Sequence, residues 1–263
     1  MTAEHVLVER DGAVTVVRLN RPERLNAFGA EMAFAIAEAI ESAGEAEGTR
    51  AIVVTGEGRG FCAGADIDVL NELVAEGDEK GLARLLEAGE RVCHAVRALD
   101  KPVLAAINGA AAGGGASLAL ACDLRIMAEG ASIGATFTRI GLHPDWGATY
   151  VLPRLVGEAR ALELLWSGRM VGSEEALRLG LVHRLAPVDT FAEDAMAWAR
   201  QLAAGPPIAF ARIKRAVAAS FYSDLDTMLA LELEHQLECF RSEDSARGLF
   251  AFRGKESPRF EGR

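Results

Sequence analysis

Residues 101–121 read KPVLAAINGAAAGGGASLALA, and this stretch decides how the chain folds. It begins with a short apolar run, Pro102–Ile107, which predicts a strand buried on both faces. Three glycines, Gly113–Gly115, then lead into the apolar run Ala116–Ala121, which predicts a helix. A strand, a glycine turn and a helix form the repeating unit of an α/β fold with parallel strands.

The same alternation extends to both sides of this stretch. N-terminal to it we predict a hairpin formed by His5–Arg10 and Ala13–Leu19, and then a helix at Ala30–Glu45. A buried strand at Ala51–Thr55 and a second helix at Leu82–Leu99 follow. C-terminal to it we predict two short strands, at Leu124–Ala128 and Ala131–Gly134. Five helices follow, at Glu158–Ser167, Ser173–Leu179, Phe191–Ala203, Ile208–Phe221 and Leu225–Phe240. The pattern predicts an α/β core over residues 1–189 and a helical region over residues 190–263 that packs on the core or on another subunit.

The composition is that of a folded, acidic protein. Half of the 263 residues are hydrophobic, so the chain can bury a large core. The formal net charge of −10 disfavours nonspecific binding to nucleic acid or to an anionic membrane. The N-terminal residues lack the basic and apolar regions of a secretory leader, and no unbroken apolar stretch is long enough to span a bilayer.

The cysteines are Cys62, Cys93, Cys122 and Cys239. Their spacing is typical neither of a metal site nor of a disulfide framework. We therefore expect reduced thiols in a cytoplasmic protein that holds no metal.

Two short motifs resemble nucleotide or nucleophile sites only loosely. Gly58-x-Gly60-x-x-Ala63 follows a strand, but no long apolar helix follows it at once, which disfavours a dinucleotide site. No Lys-Ser/Thr pair follows these glycines, which excludes a phosphate-binding P-loop. Ser117 has glycine and alanine neighbours like those of a nucleophile elbow, but Asn108–Gly115 separates it from its strand, so a serine hydrolase is disfavoured.

The glycine run Gly113–Gly115 has two explanations. The first N–H groups of the helix that it opens have no intrahelical acceptor, and the helix dipole adds partial positive charge there. Such a turn can stabilise an oxyanion that develops during a reaction. Taken alone, close packing of the helix on its strand is the preferred explanation.

Asp145 is the carboxylate that the sequence singles out. It lies between Pro144 and Trp146, and a carboxylate beside an indole ring loses part of its hydration. That loss raises the pKa of the carboxylate and suits it to proton transfer. The alternative is that Asp145 caps a helix beginning at Trp146. His143, two residues away, could assist in the first case.

Several stretches, in this order, resemble the crotonase superfamily, which is the enoyl-CoA hydratase/isomerase family: residues 19–27 (LNRPERLNA), 51–67, 101–123, 140–157 and 242–255. The resemblance covers essentially the whole chain. It implies an α/β fold, a crotonase-like spiral of ββα turns with a helical C-terminal trimerisation region. It also implies a homotrimer or a dimer of trimers, and an acyl-CoA thioester as substrate, with no separate cofactor.

The resemblance also implies roles for particular residues. The backbone N–H groups of Ala65 and Gly114 match the two that bind the thioester oxygen as it becomes an enolate. The segment Ala63–Ile67 matches the one whose backbone holds adenine and pantetheine. The contacts to coenzyme A implied in this way are those of Arg24, Ala63, Asp66, Ile67, Phe252 and Lys255, the last two often across a subunit boundary.

Two positions depart from the family pattern. Family hydratases hold and activate water with two glutamates, and Ser117 and Phe137 stand in their places here. Neither can act as a general base, so we do not expect hydration by the two-glutamate mechanism. Ser117 and Phe137 would instead shape a drier acyl pocket. Phe137 and Trp146 could line that pocket or simply belong to the core.

The remaining carboxylate, Asp145, matches the aspartate of some family isomerases, notably the ring-opening and double-bond isomerases of phenylacetate catabolism. It also matches the nucleophile of the 4-chlorobenzoyl-CoA dehalogenases, but no histidine falls at a convincing position for that reaction. We therefore favour a cofactor-free acyl-CoA isomerase in which Asp145 moves the proton. Two alternatives stay open. One is a hydratase-like lyase or hydrolase that pairs Asp145 with Glu87, Glu90 or Asp68, and the other is a catalytically silent acyl-CoA-binding protein.

Overall fold

The computed structural model describes residues 5–263, and Met1–Glu4, part of the segment in which we expect no leader, lie outside it. The strands are β1 (Val6–Asp11), β2 (Val14–Leu19), β3 (Ala51–Gly56), β4 (Gly60–Cys62), β5 (Val103–Ile107), β6 (Ala110–Ala112), β7 (Leu124–Ala128), β8 (Ser132–Gly134), β9 (Val171–Gly172) and β10 (Arg184–Ala186). The α-helices are α1 (Ala30–Glu45), α2 (Ile67–Glu76), α3 (Glu79–Ala98), α4 (Gly114–Ala121), α5 (Ala148–Val156), α6 (Glu158–Ser167), α7 (Ser173–Leu179), α8 (Phe191–Ala203), α9 (Pro207–Ala219), α10 (Leu225–Arg241) and α11 (Glu243–Gly254).

The strands form two sheets that the chain visits in turn. One sheet has the order β1-β2-β3-β5-β7-β10, and every neighbouring pair in it except β1 with β2 is parallel. The other has the order β4-β6-β8-β9, with the first three strands parallel. The pairs β3–β4, β5–β6 and β7–β8 each place one strand in each sheet before the chain continues into helix. The predicted spiral of ββα turns is confirmed.

The core lies between the larger sheet and the helices that cover it. All residues of β3 and β5 are buried, as their continuous apolar sequences predict for parallel strands with both faces covered. Helix α1 buries one face, including Met32, Ile36 and Ile40, and packs against α3. Each such aliphatic side chain contributes about 1.5–3 kcal/mol on burial.

The start of α4 sits so close to β4 that only glycine fits. A Cβ added to Gly115 would lie 2.2 Å from the carbonyl oxygen of Cys62. At the other end of α4, the buried guanidinium of Arg125 donates to the carbonyl oxygens of Leu120 and Cys122, at 3.2 and 2.6 Å. A cation at a helix C-terminus stabilises the dipole, and here it also satisfies carbonyls that the helix leaves unpaired.

The helical region predicted after residue 189 begins with α8, which packs on the core. Helix α8 belongs to the core, because Phe191, Trp198 and Ala199 are buried within it and the helix packs on the larger sheet. Helix α9 also contacts the core, since the Lys214 ammonium lies 2.7 Å from the Asp123 carboxylate and donates to the Val96 carbonyl at 3.0 Å. Among the residues that the structure describes, helix α10 has none that is buried.

No helix within residues 5–263 is both long enough and apolar enough to cross a bilayer. Over the same residues, no three His, Cys, Asp or Glu side chains come together as a metal would require.

Candidate active site

An apolar cavity of about 470 Å³ opens between the turn after β4, the start of α4, helices α2 and α3 and the segment 136–146. A volume of this size is typical of a small-molecule site. The polar side chains that line it are Thr136, His143 and Asp145. The rest of the wall consists of Phe28, Ala63, Gly64, Ala65, Ile67, Leu70, Leu82, Leu85, Leu86, Gly113, Gly114, Phe137, Ile140, Leu142 and Trp146.

Two backbone segments of this wall carry N–H groups without acceptors. Ala65 lies in the turn after β4, Gly114 is the first residue of α4, and neither N–H has an acceptor within residues 5–263. The two segments approach closely at Gly64, whose φ is +93° and where an added Cβ would lie 3.2 Å from the Gly114 nitrogen. Unpaired N–H groups at a helix N-terminus suit a negatively charged oxygen.

The turn that carries Ala65 is fixed by its neighbours. The Phe28 N–H donates to the Gly64 carbonyl and the Asp66 N–H donates to the Phe28 carbonyl, both at 2.9 Å. The Asp66 carboxylate caps α2 through the Asp68 N–H and lies 2.7 Å from the Arg21 guanidinium. Burial alone would raise the pKa of Asp66, but these hydrogen bonds bring it below its ordinary value. Both the carboxylate and the N–H of Asp66 therefore have structural partners.

Asp145 presents an unsatisfied carboxylate to the cavity. Its Oδ1 is buried and has no hydrogen-bond partner within the described residues. Burial raises the pKa of Asp145 to about 6, while its own N–H and the nearby His143 act in the opposite direction. Helix α5 has Gly147 at its N-cap and no side-chain cap, which removes the alternative that Asp145 is a capping residue. A carboxylate with this pKa is suited to proton transfer near neutral pH.

Tight packing around Trp146 holds the Asp145 loop in place. Trp146 has a left-handed backbone with φ of 52°, and its ring stacks on Phe28. On its other side α3 passes so close that a Cβ added to Gly89 would lie 1.7 Å from the Trp146 Nε1. Phe28 in turn abuts the start of α4, because a Cβ added to Gly114 would lie 2.6 Å from its Cζ.

A second, open cleft of about 320 Å³ adjoins the apolar cavity. The two share Ala63, Ala65 and Ile67 in their walls. The cleft contains the cations of Arg24 and Arg59. The Arg24 guanidinium pairs with the Asp68 carboxylate, and this pairing raises the pKa of Arg24. The Arg24 Nε also lies 3.9 Å from the Asp66 Oδ2.

The structure brings most of the residues singled out from the sequence to these two neighbouring spaces. The apolar cavity is lined by Ala63, Ala65, Ile67, Gly114, Phe137, Asp145 and Trp146, and the cleft by Arg24 and Asp66. Trp146 and Phe137 are both core residues and cavity wall, so the two alternatives stated for them coincide.

Ser117 lies elsewhere, which corrects the expectation that it shapes the pocket. Its side chain is buried inside α4, and its hydroxyl donates to the Gly113 carbonyl at 3.3 Å, one turn back along the helix. Phe252 and Lys255 line neither space within one chain, and Phe252 is 85% exposed on α11.

The acidic residues considered as relocated partners of Asp145 also lie outside the apolar cavity. Glu87 and Glu90 are exposed on α3, and a Glu90 carboxylate oxygen lies 3.6 Å from the His94 Nε2. Asp68 lies in the cleft and pairs with Arg24.

Sequence reasoning missed several wall residues. These are Phe28, Leu70, Leu82, Leu85, Leu86, Thr136, Ile140 and Leu142. The i, i+3, i+4 spacing of Leu82, Leu85 and Leu86 was a usable signal for an apolar face on α3. Nothing in the local sequence marks Phe28 or Thr136.

The chain is similar to known proteins in sequence and in fold. The family model described as enoyl-CoA hydratase/isomerase matches residues 9–263. The 1,2-epoxyphenylacetyl-CoA isomerase of Escherichia coli is 38% identical over 99% of both chains, and the short-chain-enoyl-CoA hydratase of Clostridium acetobutylicum is 36% identical over 96% of this chain and 95% of its own. The crystal structure of an enoyl-CoA hydratase from Bacillus anthracis superposes with a TM-score of 0.92 at 35% identity, covering 99% of this chain and all of the other.

Proposed function

The chain belongs to the enoyl-CoA hydratase/isomerase family, and within that family we propose that it moves a carbon–carbon double bond along the acyl group of an enoyl-CoA thioester. The observation that carries this proposal is Asp145. It is the one carboxylate among the residues lining the apolar cavity, and its Oδ1 is buried without a partner in the described part of the chain. One carboxylate that can both take and return a proton suffices for isomerisation.

In the proposed complex the thioester oxygen accepts from the N–H groups of Ala65 and Gly114. The acyl group fills the apolar cavity, where His143 is the only potential cation among the lining side chains. This wall favours an uncharged acyl group, because an acyl carboxylate would lie in mostly apolar surroundings with His143 as its one possible partner among the lining side chains. Coenzyme A extends through the adjoining cleft, where Arg24 meets a phosphate. Since coenzyme A is part of the substrate, the reaction needs no further cofactor.

The proposed reaction begins from a 3-enoyl-CoA. The Asp145 carboxylate takes a proton from C2, and the C2–H electron pair forms a C1=C2 bond while the thioester oxygen becomes anionic. The N–H groups of Ala65 and Gly114 stabilise this dienolate, and one donor in such a hole is worth about 3–4 kcal/mol of barrier. Protonated Asp145 then returns its proton to C4, the carbonyl re-forms, and the double bond lies between C2 and C3.

We also propose that the chain works as a homotrimer or a dimer of trimers. Helices α9–α11 expose many large apolar side chains, and such a surface is typical of an interface. In this assembly Phe252 and Lys255 of one copy would approach the coenzyme A of another, which accounts for their distance from both spaces within one chain.

Hydration is the second candidate, because the short-chain-enoyl-CoA hydratase of Clostridium acetobutylicum is 36% identical. It would require Asp145 to work without the second carboxylate of the two-glutamate mechanism. Glu87 and Glu90 are exposed away from the cavity, and Asp68 is engaged by Arg24, so none of the three is placed to assist. A silent acyl-CoA-binding protein is the third candidate, but a binding protein gains nothing from an unpaired buried carboxylate, which costs about 1–3 kcal/mol.

A panel of 2-enoyl- and 3-enoyl-CoA esters, followed by mass spectrometry and NMR, tests the proposal. We expect a product of unchanged mass with a shifted double bond. A product heavier by one water would establish hydration instead. Tight binding of the esters without turnover, and without exchange of the C2 protons in heavy water, would establish the silent binder.

A further inference from the structure

Thr136 is, with His143, one of the two polar residues of the cavity wall to which the proposed reaction gives no role. It follows β8 and begins a short 3-10 turn, Thr136–Ile140. Its side chain is half-buried and lines the apolar cavity, yet its hydroxyl has no hydrogen-bond partner within residues 5–263. Thr138, two residues further along, behaves in the usual way, since its hydroxyl donates to the Leu165 carbonyl at 3.0 Å.

The Thr136 hydroxyl lies beside the start of α4. A Cβ added to Gly113 would be 3.6 Å from the Thr136 Oγ1, and Gly113 is the N-cap residue that immediately precedes Gly114. The two segments are also joined by a hydrogen bond of 2.9 Å from the Gly113 N–H to the Gly134 carbonyl. The unused hydroxyl and the unpaired Gly114 N–H therefore lie at the same end of the cavity.

We infer that the Thr136 hydroxyl donates a third hydrogen bond to the thioester oxygen when that oxygen becomes anionic. An enolate oxygen can accept three hydrogen bonds, and Ala65 and Gly114 supply two. A hydroxyl on a residue that lines a mostly apolar cavity gains most from a charged acceptor, because hydrogen bonds to ionised groups are roughly twice as strong as neutral ones. A bond that strengthens as charge develops lowers the barrier rather than tightening substrate binding.

The inference rests on the proposed function only in requiring an enolate, so it can be tested without isomerisation. The assay is exchange of the C2 protons of butanoyl-CoA in heavy water, followed by NMR, with the affinity for the same ester measured by calorimetry. The variants are Thr136→Val, which keeps the shape and loses the hydroxyl, and Thr136→Ser, which keeps the hydroxyl. Thr138→Val is the matched control, because it removes a hydroxyl from the same turn that does not line the cavity.

We expect Thr136→Val to slow exchange by roughly 10²-fold, the loss typical of one oxyanion donor. We expect its affinity for butanoyl-CoA to stay within about twofold of wild type, which is the signature of a bond made only in the transition state. Thr136→Ser and Thr138→Val should exchange at near the wild-type rate.

Three results would overturn the inference. One is wild-type exchange in Thr136→Val, and another is an equal loss in Thr136→Ser, which would indicate a packing role for the methyl group. The third is weakened binding at an unchanged exchange rate, which would indicate a contact to the acyl chain. If the wild-type protein exchanges protons but moves no double bond, the proposed isomerisation fails while the role of Thr136 is still measured. If it exchanges no protons, both fail.

Discussion

The rings of Phe28 and Trp146 stack with their centroids 4.4 Å apart and their planes 23° from parallel. Phe28 abuts the Gly114 backbone, and Trp146 directly follows Asp145 in the sequence. The proposed oxyanion-binding groups and the proposed proton-transfer group therefore share one packing contact. Such aromatic pairs contribute about 0.5–1.5 kcal/mol beyond the area that they bury.

Replacing Asp145 with asparagine should remove activity and raise stability together. Asp145→Asn keeps the shape of the side chain but cannot accept a proton, so we expect isomerisation to fall by about 10²- to 10⁴-fold, the usual contribution of general acid–base catalysis. Affinity for the coenzyme A ester should be largely unchanged. Activity measured by NMR at a level near wild type would exclude the proposed role of Asp145.

The expected gain in stability follows from the raised pKa. Ionised Asp145 is penalised in the folded protein, and a rise in its pKa from 3.8 to about 6 corresponds to at most roughly 3 kcal/mol. Asp145→Asn should thus be more stable than wild type by about 1–3 kcal/mol above pH 6, as measured by urea unfolding. The difference should shrink as pH falls below 6 and vanish near about pH 3, where Asp145 is largely protonated in both the folded and the unfolded state. A variant less stable than wild type at pH 8 would contradict the assigned pKa.

The dependence of the rate on pH should report the same group. Since the carboxylate form takes the proton, kcat/KM should rise with pH, pass half of its maximum near pH 6, and level off above that value. A stopped assay over pH 4.5–8, with the ester in trace amounts, isolates the titration of the free enzyme. If kcat/KM reached half of its maximum near pH 4, the catalytic group would be a carboxylate with an ordinary pKa. That result would contradict the claim that burial raises the pKa of Asp145.

Gly89 should be intolerant of alanine although it lies inside a helix. An alanine usually stabilises a helix interior by about 1 kcal/mol relative to glycine. At Gly89 the added Cβ would strike the Trp146 indole, so Gly89→Ala should displace Trp146 and the adjacent Asp145 and lower kcat. Gly254→Ala, in α11, is the control, because its Cβ would have its nearest contact at 3.7 Å, and it should leave kcat unchanged.

The pairing of Arg24 with Asp68 should oppose binding of coenzyme A. If Arg24 meets a phosphate in the cleft, it must first release the Asp68 carboxylate. Arg24→Gln should then weaken binding of a coenzyme A ester several-fold, and Asp68→Asn should tighten it. Both differences should shrink at high salt, since the pair is exposed. Equal affinities for both variants and wild type at low salt would place the phosphates elsewhere.

Helix α10 should form a subunit contact. Leu225, Leu229, Leu233 and Leu237 repeat every four residues along it, and each is exposed. This spacing puts them on one face, which another copy would cover in the proposed trimer. Light scattering should give three or six times the 27.9 kDa chain mass, and Leu233→Glu should dissociate the particle while Glu232→Gln leaves it intact. A wild-type particle of one chain would remove the trimer proposal.

The sequence predicted best those elements in which buried apolar residues form a clear pattern. The long helix α1 and the buried strands β3 and β5 have repeating apolar patterns and were predicted within a few residues. Helix α2 was missed because it buries no residue, and its apolar side faces the cavity rather than the core. The short strands β4, β6 and β9 of the smaller sheet were missed, because a strand of two or three residues is too short to show an alternating apolar pattern.

The candidate site was predicted in part for the same reason. A lone aspartate between proline and tryptophan is visible in the sequence, so Asp145 could be singled out from the residues themselves, whereas Gly114 was assigned by its match to a family position. Ser117 was placed in the pocket by its match to a family position, but the helix turns its hydroxyl back to Gly113. The contribution of Phe28 depends on contacts with Trp146 and Gly114, which are distant in the sequence and meet only in the fold.

The two halves of the proposed chemistry are encoded differently, and this has an evolutionary consequence. Two of the groups that would hold the thioester oxygen are the main-chain N–H groups of Ala65 and Gly114, and every residue type except proline carries such a group. The group that would move the proton is one side chain on the segment between β8 and α5. A lineage can therefore exchange its acid–base residue and acquire another reaction on the same class of substrate, while the means of activating that substrate is inherited unchanged.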